Sequence, residues 1–157
     1  MRKGKAMKVE EIMSTRLETC GPDDTLERAA QIMWECDCGV VPVIGHDGKA
    51  LGMITDRDIC MAAYTQGRPL GLMLVSSACS RSLRSCAPDD PIEEAEAVMA
   101  AAQVRRLPVI DAEGKLCGIV SLADFAHRVR RGNGKPDALS LDRVAATLAA
   151  ISQPAPS

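Results

Sequence analysis

Aromatic residues are almost missing from this chain: one Trp, one Tyr and one Phe in 157 residues. The core must be aliphatic, and binding nucleic acid by stacking bases on aromatic side chains is excluded. An excess of either charge is missing too. Lys+Arg is 19 and Asp+Glu is 21, a net charge of −2, so no broad basic surface awaits a polyanion. No apolar run approaches the roughly 20 residues that span a bilayer, so no membrane partner is expected. Met1-Arg2-Lys3-Gly4-Lys5 is basic, but no continuous apolar stretch follows it. That argues against a signal peptide and points to the cytoplasm. There is no HExxH pattern, no Walker-type Gly-Lys loop and no nucleophile–His–acid arrangement, so the chain is not read as an enzyme. Seven Cys is an odd count, and a chain of this length buries a core without covalent staples. Reduced thiols are expected, not a disulfide framework.

What the chain does have is a repeat. Residues 18–60 align with residues 84–126 at a constant offset of 66, without a gap, and 14 of 43 positions are identical. Unrelated segments of this composition would match at roughly 3 positions. The identities include Cys20/Cys86, Pro22/Pro88, Asp24/Asp90, Glu27/Glu93, Met33/Met99, Pro42/Pro108, Gly52/Gly118 and Asp58/Asp124. The period exceeds that of common solenoids, so this is a duplicated subdomain.

Each copy predicts the same elements. Asp24 and Asp90 are placed to cap helices near 25–35 and 91–101, with Glu27 and Glu93 at the third helical position and Pro91 at the first. The runs Val40–Ile44 and Leu107–Ile110 read as strands that return through polar turns into Leu51–Thr55 and Leu116–Ser121. Pro42 and Pro108 argue for an edge or an open row of main-chain acceptors. Second helices begin at Asp56 and Leu122. A short extended piece around Leu17–Cys20 or Leu83–Cys86 leads each copy, giving β-α-β-β-α. The expected boundaries are 7–66 and 72–131, with residues 62–74 as linker and a break at 131–137. A C-terminal helix is expected within 137–152, and a disordered tail at 153–157.

The candidate site is the matched pair GMITDRDI (52–59) and GIVSLADF (118–125), both Gly-x-x-[Ser/Thr]-x-x-Asp at a strand-to-helix junction. A helix N-terminus presents free N–H groups that suit phosphate. Asp58 and Asp124 can accept from ribose hydroxyls, Thr55 and Ser121 can donate to a phosphate or sugar oxygen, and Arg57 adds a cation. The same spacing is also that of a capping box, and spacing alone does not separate the two readings.

On these segments the chain resembles the cystathionine-β-synthase (CBS) domain, in tandem. PDDTLERAAQIM with GVVPVIGHDGKALGMITDRDI is similar to one copy, and PDDPIEEAEAVM with RRLPVIDAEGKLCGIVSLADF to another. VEEIM (9–13) and LVSSACSRSL (74–83) stand where the family carries its lead-in segments. The resemblance implies an α/β module of two such repeats packed with pseudo-twofold symmetry, commonly a homodimer. It further implies clefts between the motifs for AMP, ADP, ATP, S-adenosylmethionine or NAD. Thr55, Asp58, Ser121 and Asp124 would contact ribose and phosphate. Adenine would lie against Val40, Val41 and Pro42, or against Arg106, Leu107 and Pro108, with main chain near Thr19-Cys20 and Ser85-Cys86 completing each pocket. The implied role is regulatory. An adenine nucleotide, AMP or ATP, acts as signal and not as obligatory cofactor, and a separate effector protein receives the output. Arg57 has no cation at its counterpart in the second copy, and Arg105-Arg106 replace Gly39-Val40, so the two sites are expected to differ.

The alternative is a thiol-based redox or metal sensor built on Cys36-x-Cys38 with Cys20 or Cys60. Cys-x-Cys without a second ligand pair is a weak pattern, and no metal ligands are assigned. His46 and His127 are read as solvated. Arg128, Arg130 and Arg131 are read as a helix end complementing its dipole, and Trp34 as a packing or interface anchor.

Overall fold

The computed structural model describes residues 6–131 and 140–154. It divides into two compact units, one built on each repeat. Each has its own aliphatic core.

The unit built on the first repeat spans 17–83 and takes in 113–116. Helix α1 (Leu26–Glu35) is capped by Thr25, whose hydroxyl accepts from the Arg28 N–H at 3.2 Å. Asp24 does not cap it. Its Oδ2 closes the preceding turn by accepting from Gly21 N–H at 2.7 Å. Strands β1 (Val40–Ile44) and β2 (Ala50–Thr55) form an antiparallel hairpin, with Val40 opposite Thr55 and Pro42 opposite Met53. Helix α2 (Asp56–Gln66) follows directly, so the first residues expected in the linker are helical. Leu26, Ala29, Ile32, Val41, Val43 and Ile54 are buried together. The expected leading strand is reduced to a single parallel bridge from Cys20 to Val43. Cys20 N–H donates to the Pro42 carbonyl at 3.1 Å. The ring nitrogen of Pro42 faces the same side as that carbonyl and offers no donor there, so the pairing ends at this bridge.

The second unit holds residues 84–112 and 117 onward, with the N-terminal segment to Arg16. Helix α3 (Ile92–Ala102) begins one residue after Pro91, which stands at the cap and not inside the helix. Asp90 repeats the turn of Asp24, its Oδ2 accepting from Ala87 N–H at 2.7 Å. Strands β3 (Arg106–Ile110) and β4 (Leu116–Ser121) pair, and Cys86 bridges to Val109 as Cys20 does to Val43. Helix α4 (Leu122–Arg131) follows. Phe125, Ile92, Met99, Leu107 and Val9 have no exposed surface. Helix α5 (Leu141–Ile151) packs on α3 and α4 through Val144, Thr147 and Ile151. Its Arg143 Nη2 lies 2.8 Å from Oε2 of Glu96, a carboxylate 3 % exposed on α3. The break at 132–137 and residues 155–157 of the tail fall outside the described residues. Gln153 is described, and its carbonyl accepts from Gln103 Nε2 at 3.3 Å. Among the described residues, no helix covers α1 and α2 of the first unit as α5 covers the second: Trp34 is 88 % and Tyr64 82 % exposed.

The segments leading into the repeats are exchanged between the units. Val9 and Glu10 donate to the carbonyls of Asp90 and Pro88, at 3.0 and 2.9 Å. Val75 and Ser76 donate to the carbonyls of Asp24 and Pro22, at 2.8 and 2.9 Å. These are the same contacts, 66 residues apart. Each lead-in then runs along a second strand. Ser80 bridges Met53, and Ser14 bridges Ile119. This approach accounts for the shared glycines. A Cβ on Gly52 would collide with the Ser80 carbonyl oxygen, and one on Gly118 would stand 2.9 Å from the Ser14 carbonyl oxygen. The glycine of the repeated motif is there for packing.

Candidate functional site

In the first unit the pairing of β1 with β2 sets Val40 beside Thr55. The Cys20 bridge brings Thr19-Cys20 alongside Val41 to Val43 on the other side of β1. Asp56 N–H donates to the Gly39 carbonyl at 3.1 Å, which ties the start of α2 to the start of β1. The Thr19-Cys20, Val40–Pro42 and Thr55–Asp58 segments are therefore contiguous. In the second unit, Cys86 N–H donates to the Pro108 carbonyl at 3.2 Å and Leu122 N–H to the Arg105 carbonyl at 3.0 Å. Ser85-Cys86, Arg106–Pro108 and Ser121–Asp124 form the matching set. Val41, Pro42, Leu107 and Pro108 are buried, and the Pro42 and Pro108 carbonyls are taken up by the Cys20 and Cys86 N–H groups. Arg57, Arg105 and Arg106 are exposed, and their guanidiniums make no ion pair among the described residues.

The carboxylates do cap their helices. Asp58 Oδ2 accepts from the Thr55 hydroxyl at 2.7 Å and the Thr55 N–H at 2.9 Å, while Asp58 N–H donates to Thr55 Oγ1 at 3.1 Å. Asp124 and Ser121 repeat this, with bonds of 2.7, 2.7 and 3.2 Å. Three reciprocal bonds hold each turn in one shape. They occupy one carboxylate oxygen. Oδ1 of Asp58 and of Asp124 accepts no hydrogen bond from the described residues, and both residues are half-buried. A carboxylate has about four lone-pair sites, so the capping role and a hydroxyl-binding role are compatible on one residue.

A cavity of about 540 Å³ opens beside Asp124, lined also by Glu11, Ile12, His127, Arg128 and Arg131. Sequence reasoning set these last three aside as a solvated histidine and a helix end. The signal that finds them is their spacing of three, four and seven residues from Asp124, one face of α4. A second groove, of about 480 Å³, lies on the first unit along Ala30, Met33, Trp34, Asp37, Asp56 and Ile59.

The thiols do not converge. None of the seven cysteines is in a disulfide, and among the described residues no group of three or more His, Cys, Asp or Glu side chains is placed to hold a metal ion. Burial pushes the Cys20 thiol up to about 11 and the Cys86 thiol up to about 12, with the carboxylates of Asp24 and Asp90 adding to the effect. Both therefore stay protonated and unreactive near neutral pH. His46 pairs with Asp23 at 3.0 Å on the open surface, as its turn position suggested. Among the described residues, no helix is long and apolar enough to cross a membrane.

YhcV of Bacillus subtilis, a CBS-domain-containing protein, is 40 % identical over 118 residues, 75 % of this chain and 82 % of YhcV. Hypoxic response protein 1 of Mycobacterium tuberculosis is 36 % identical over 119 residues, 76 % of this chain and 82 % of that protein. A crystal structure of Hypoxic Response Protein I with two coordinated zinc ions superposes with a TM-score of 0.71 at 35 % identity, over 77 % of this chain and 98 % of that one. The structure of CBSX2 in complex with AMP gives a TM-score of 0.69 at 25 % identity, over 79 % of this chain and 98 % of that one. The CBS domain pattern matches twice, at residues 9–64 and 75–131. With both repeats matched and relatives covered over most of their length, this chain belongs to the CBS-domain family, as a tandem pair.

Proposed function

We propose that the chain is a non-enzymatic regulatory module that binds adenosine-containing ligands at the strand-to-helix turns of its two copies, 7–66 and 72–131, and passes their occupancy to a separate effector protein. The observation that carries this reading is the duplicated turn. Two half-buried carboxylates each keep Oδ1 open, beside the first strand of a hairpin. The Thr55 and Ser121 hydroxyls stand at helix starts, whose dipoles favour phosphate. Thr19-Cys20 with Val40–Pro42, and Ser85-Cys86 with Arg106–Pro108, supply the walls for the base. CBSX2, crystallised with AMP, is a relative consistent with this class of ligand. A switch requires different affinities for the ligand in two arrangements of the chain, and phosphate charge is the natural lever, drawing Arg57, Arg105 or Arg106 to different extents.

The module is further proposed to act as a homodimer in the cytoplasm. The bare surface of α1 and α2, with Trp34 and Tyr64 almost fully exposed, supports self-association through that face, because exposed aromatic anchors mark interfaces. Light scattering of Trp34→Ala against the parent chain tests it. A lower mass for the variant supports the dimer, and equal masses count against this face. For the ligand, the test is calorimetric titration of the full chain with AMP, ATP and S-adenosylmethionine. Saturable binding of at least one is expected. No binding of any of them at millimolar concentration overturns the reading. Zinc in a relative at 35 % identity keeps a thiol or metal sensor as the second reading, and metal content after purification separates the two.

A further inference from the structure

Helix α4 carries a stripe that its counterpart lacks. Asp124, His127, Arg128 and Arg131 share one face of α4 and line one cavity with Glu11 and Ile12. The stripe runs about 10 Å along the helix axis. In α2 the corresponding positions are Asp58, Met61, Ala62 and Thr65. The carboxylate is kept and every cation is gone. A helix dipole accounts for basic residues in a last turn. It does not account for His127, which stands a turn earlier, nor for three basic side chains facing the cavity that holds Asp124.

The cavity is chemically polarised. At one end is Asp124, its Oδ2 tied to Ser121 and its Oδ1 open. That end suits hydroxyl donors and repels anions. Further along α4 the wall is cationic. Glu11 is the other carboxylate, and its Oε1 accepts from the Lys8 N–H at 2.9 Å. Arg128 Nε reaches Met7 Sδ at 3.5 Å, which directs its guanidinium along the N-terminal segment that forms the opposite wall. A bare anion would face two carboxylates here. A ligand with hydroxyls at one end and linked phosphates at the other matches both ends.

We propose that the α4 stripe is a phosphate-reading arm. The sugar hydroxyls of a nucleoside sit on Asp124, and a di- or triphosphate runs along α4 to His127, Arg128 and Arg131. The turn of the first copy has Arg57 in its first helical turn and no cation further on, so it holds a nucleoside or monophosphate without preference for a longer chain. This assignment rests on the adenosine reading above and adds to it which copy reads phosphate number, and with which residues.

The test is calorimetric titration of the full chain with adenosine, AMP, ADP, ATP and inorganic tripolyphosphate, in EDTA so that the phosphates keep their charge. The parent chain is expected to show one class of site that binds ATP about tenfold more tightly than AMP, the size of one charge-assisted contact. Arg131→Gln, alone or with His127→Ala, removes that preference and leaves AMP affinity in place. Arg131→Lys keeps most of it. Grafting Met61→His with Thr65→Arg gives the first copy an ATP preference of its own. All these positions are at the surface, and thermal melting checks that each variant folds. If AMP and ATP bind but the substitutions leave their ratio unchanged, the arm is overturned while the adenosine reading stands. If tripolyphosphate binds as tightly as ATP, the sugar end is overturned. If no adenosine compound binds the parent chain, both readings fall together.

Discussion

The two repeats agree in the turn and differ in the helix behind it. Thr55 and Asp58 make the same three bonds as Ser121 and Asp124, to within 0.2 Å. Past that turn α2 is neutral on the face where α4 is basic. Trp34 of α1 and Tyr64 of α2 stand exposed, while α3 and α4 are covered by α5. A duplication thus holds constant what folding needs and varies what a ligand or a partner meets. The glycines, the lead-in contacts and the caps belong to the first class. The α4 stripe belongs to the second.

The largest effect is expected where the copies are most alike. Gly52→Ala forces a Cβ onto the Ser80 carbonyl oxygen, and Gly118→Ala onto that of Ser14. A main-chain atom cannot rotate away, so each should cost about 3 kcal/mol or more, read from denaturant melts. If Gly118→Ala proves mild, the exchanged lead-ins are not held as tightly as the bridges imply.

A smaller loss separates the copies. Arg143→Ala leaves the buried Glu96 carboxyl of the second unit without its guanidinium partner. The first unit has Ala30 at that position. The cost should be about 1–3 kcal/mol, below that of a fully buried pair because Arg143 is partly exposed. Burial raises the Glu96 carboxyl above its ordinary value, and Arg143 opposes this only in part. A raised carboxyl favours the folded state fully below the unfolded value, about 4.3, and that contribution is lost as pH rises through the folded value. Glu96→Gln should therefore be close to neutral at pH 7 and flatten stability over that window. A Glu96→Gln variant as damaged as Arg143→Ala would show that the ion pair itself stabilises the fold.

Thiol chemistry sharpens the comparison at lower cost. In a timed alkylation at pH 8 read by mass spectrometry, Cys20 and Cys86 should be modified last, since burial raises both. Exposed Cys60, whose counterpart is Ala126, should be modified early. Early labelling of Cys20 would mean that its bridge to Val43 opens readily. The smallest effects belong to the caps: Thr55→Ala and Ser121→Ala should each cost about 1 kcal/mol in melts, and a marked inequality would break the equivalence of the two turns.

Much of this architecture was legible in the sequence. The constant offset of 66 revealed the duplication, and alternating apolar runs around polar turns placed all four strands. Where reading failed, the cause is physical. Pro-Asp-Asp-Thr offers adjacent capping side chains, and only the folded backbone shows that Thr25 takes the cap and Asp24 the turn. The leading strand shrank to one bridge because a parallel pair beside Pro42 has no second donor to extend it. The exchange of lead-ins has no local signature, since Val9 meets Asp90 across more than half the chain. The α4 stripe was read as a helix end because Glu11 and Ile12, which close its cavity, are remote in sequence.

The most direct test of the shared turn as a ligand site is AMP titration by calorimetry on the parent chain, Asp58→Asn, Asp124→Asn and the double variant. Asparagine keeps an oxygen for the cap but cannot offer a carboxylate to sugar hydroxyls. Each single variant should lose one class of AMP site and the double variant both, with melting temperatures nearly unchanged. Undiminished AMP binding by the double variant would contradict it, leaving both aspartates as helix caps and nothing more.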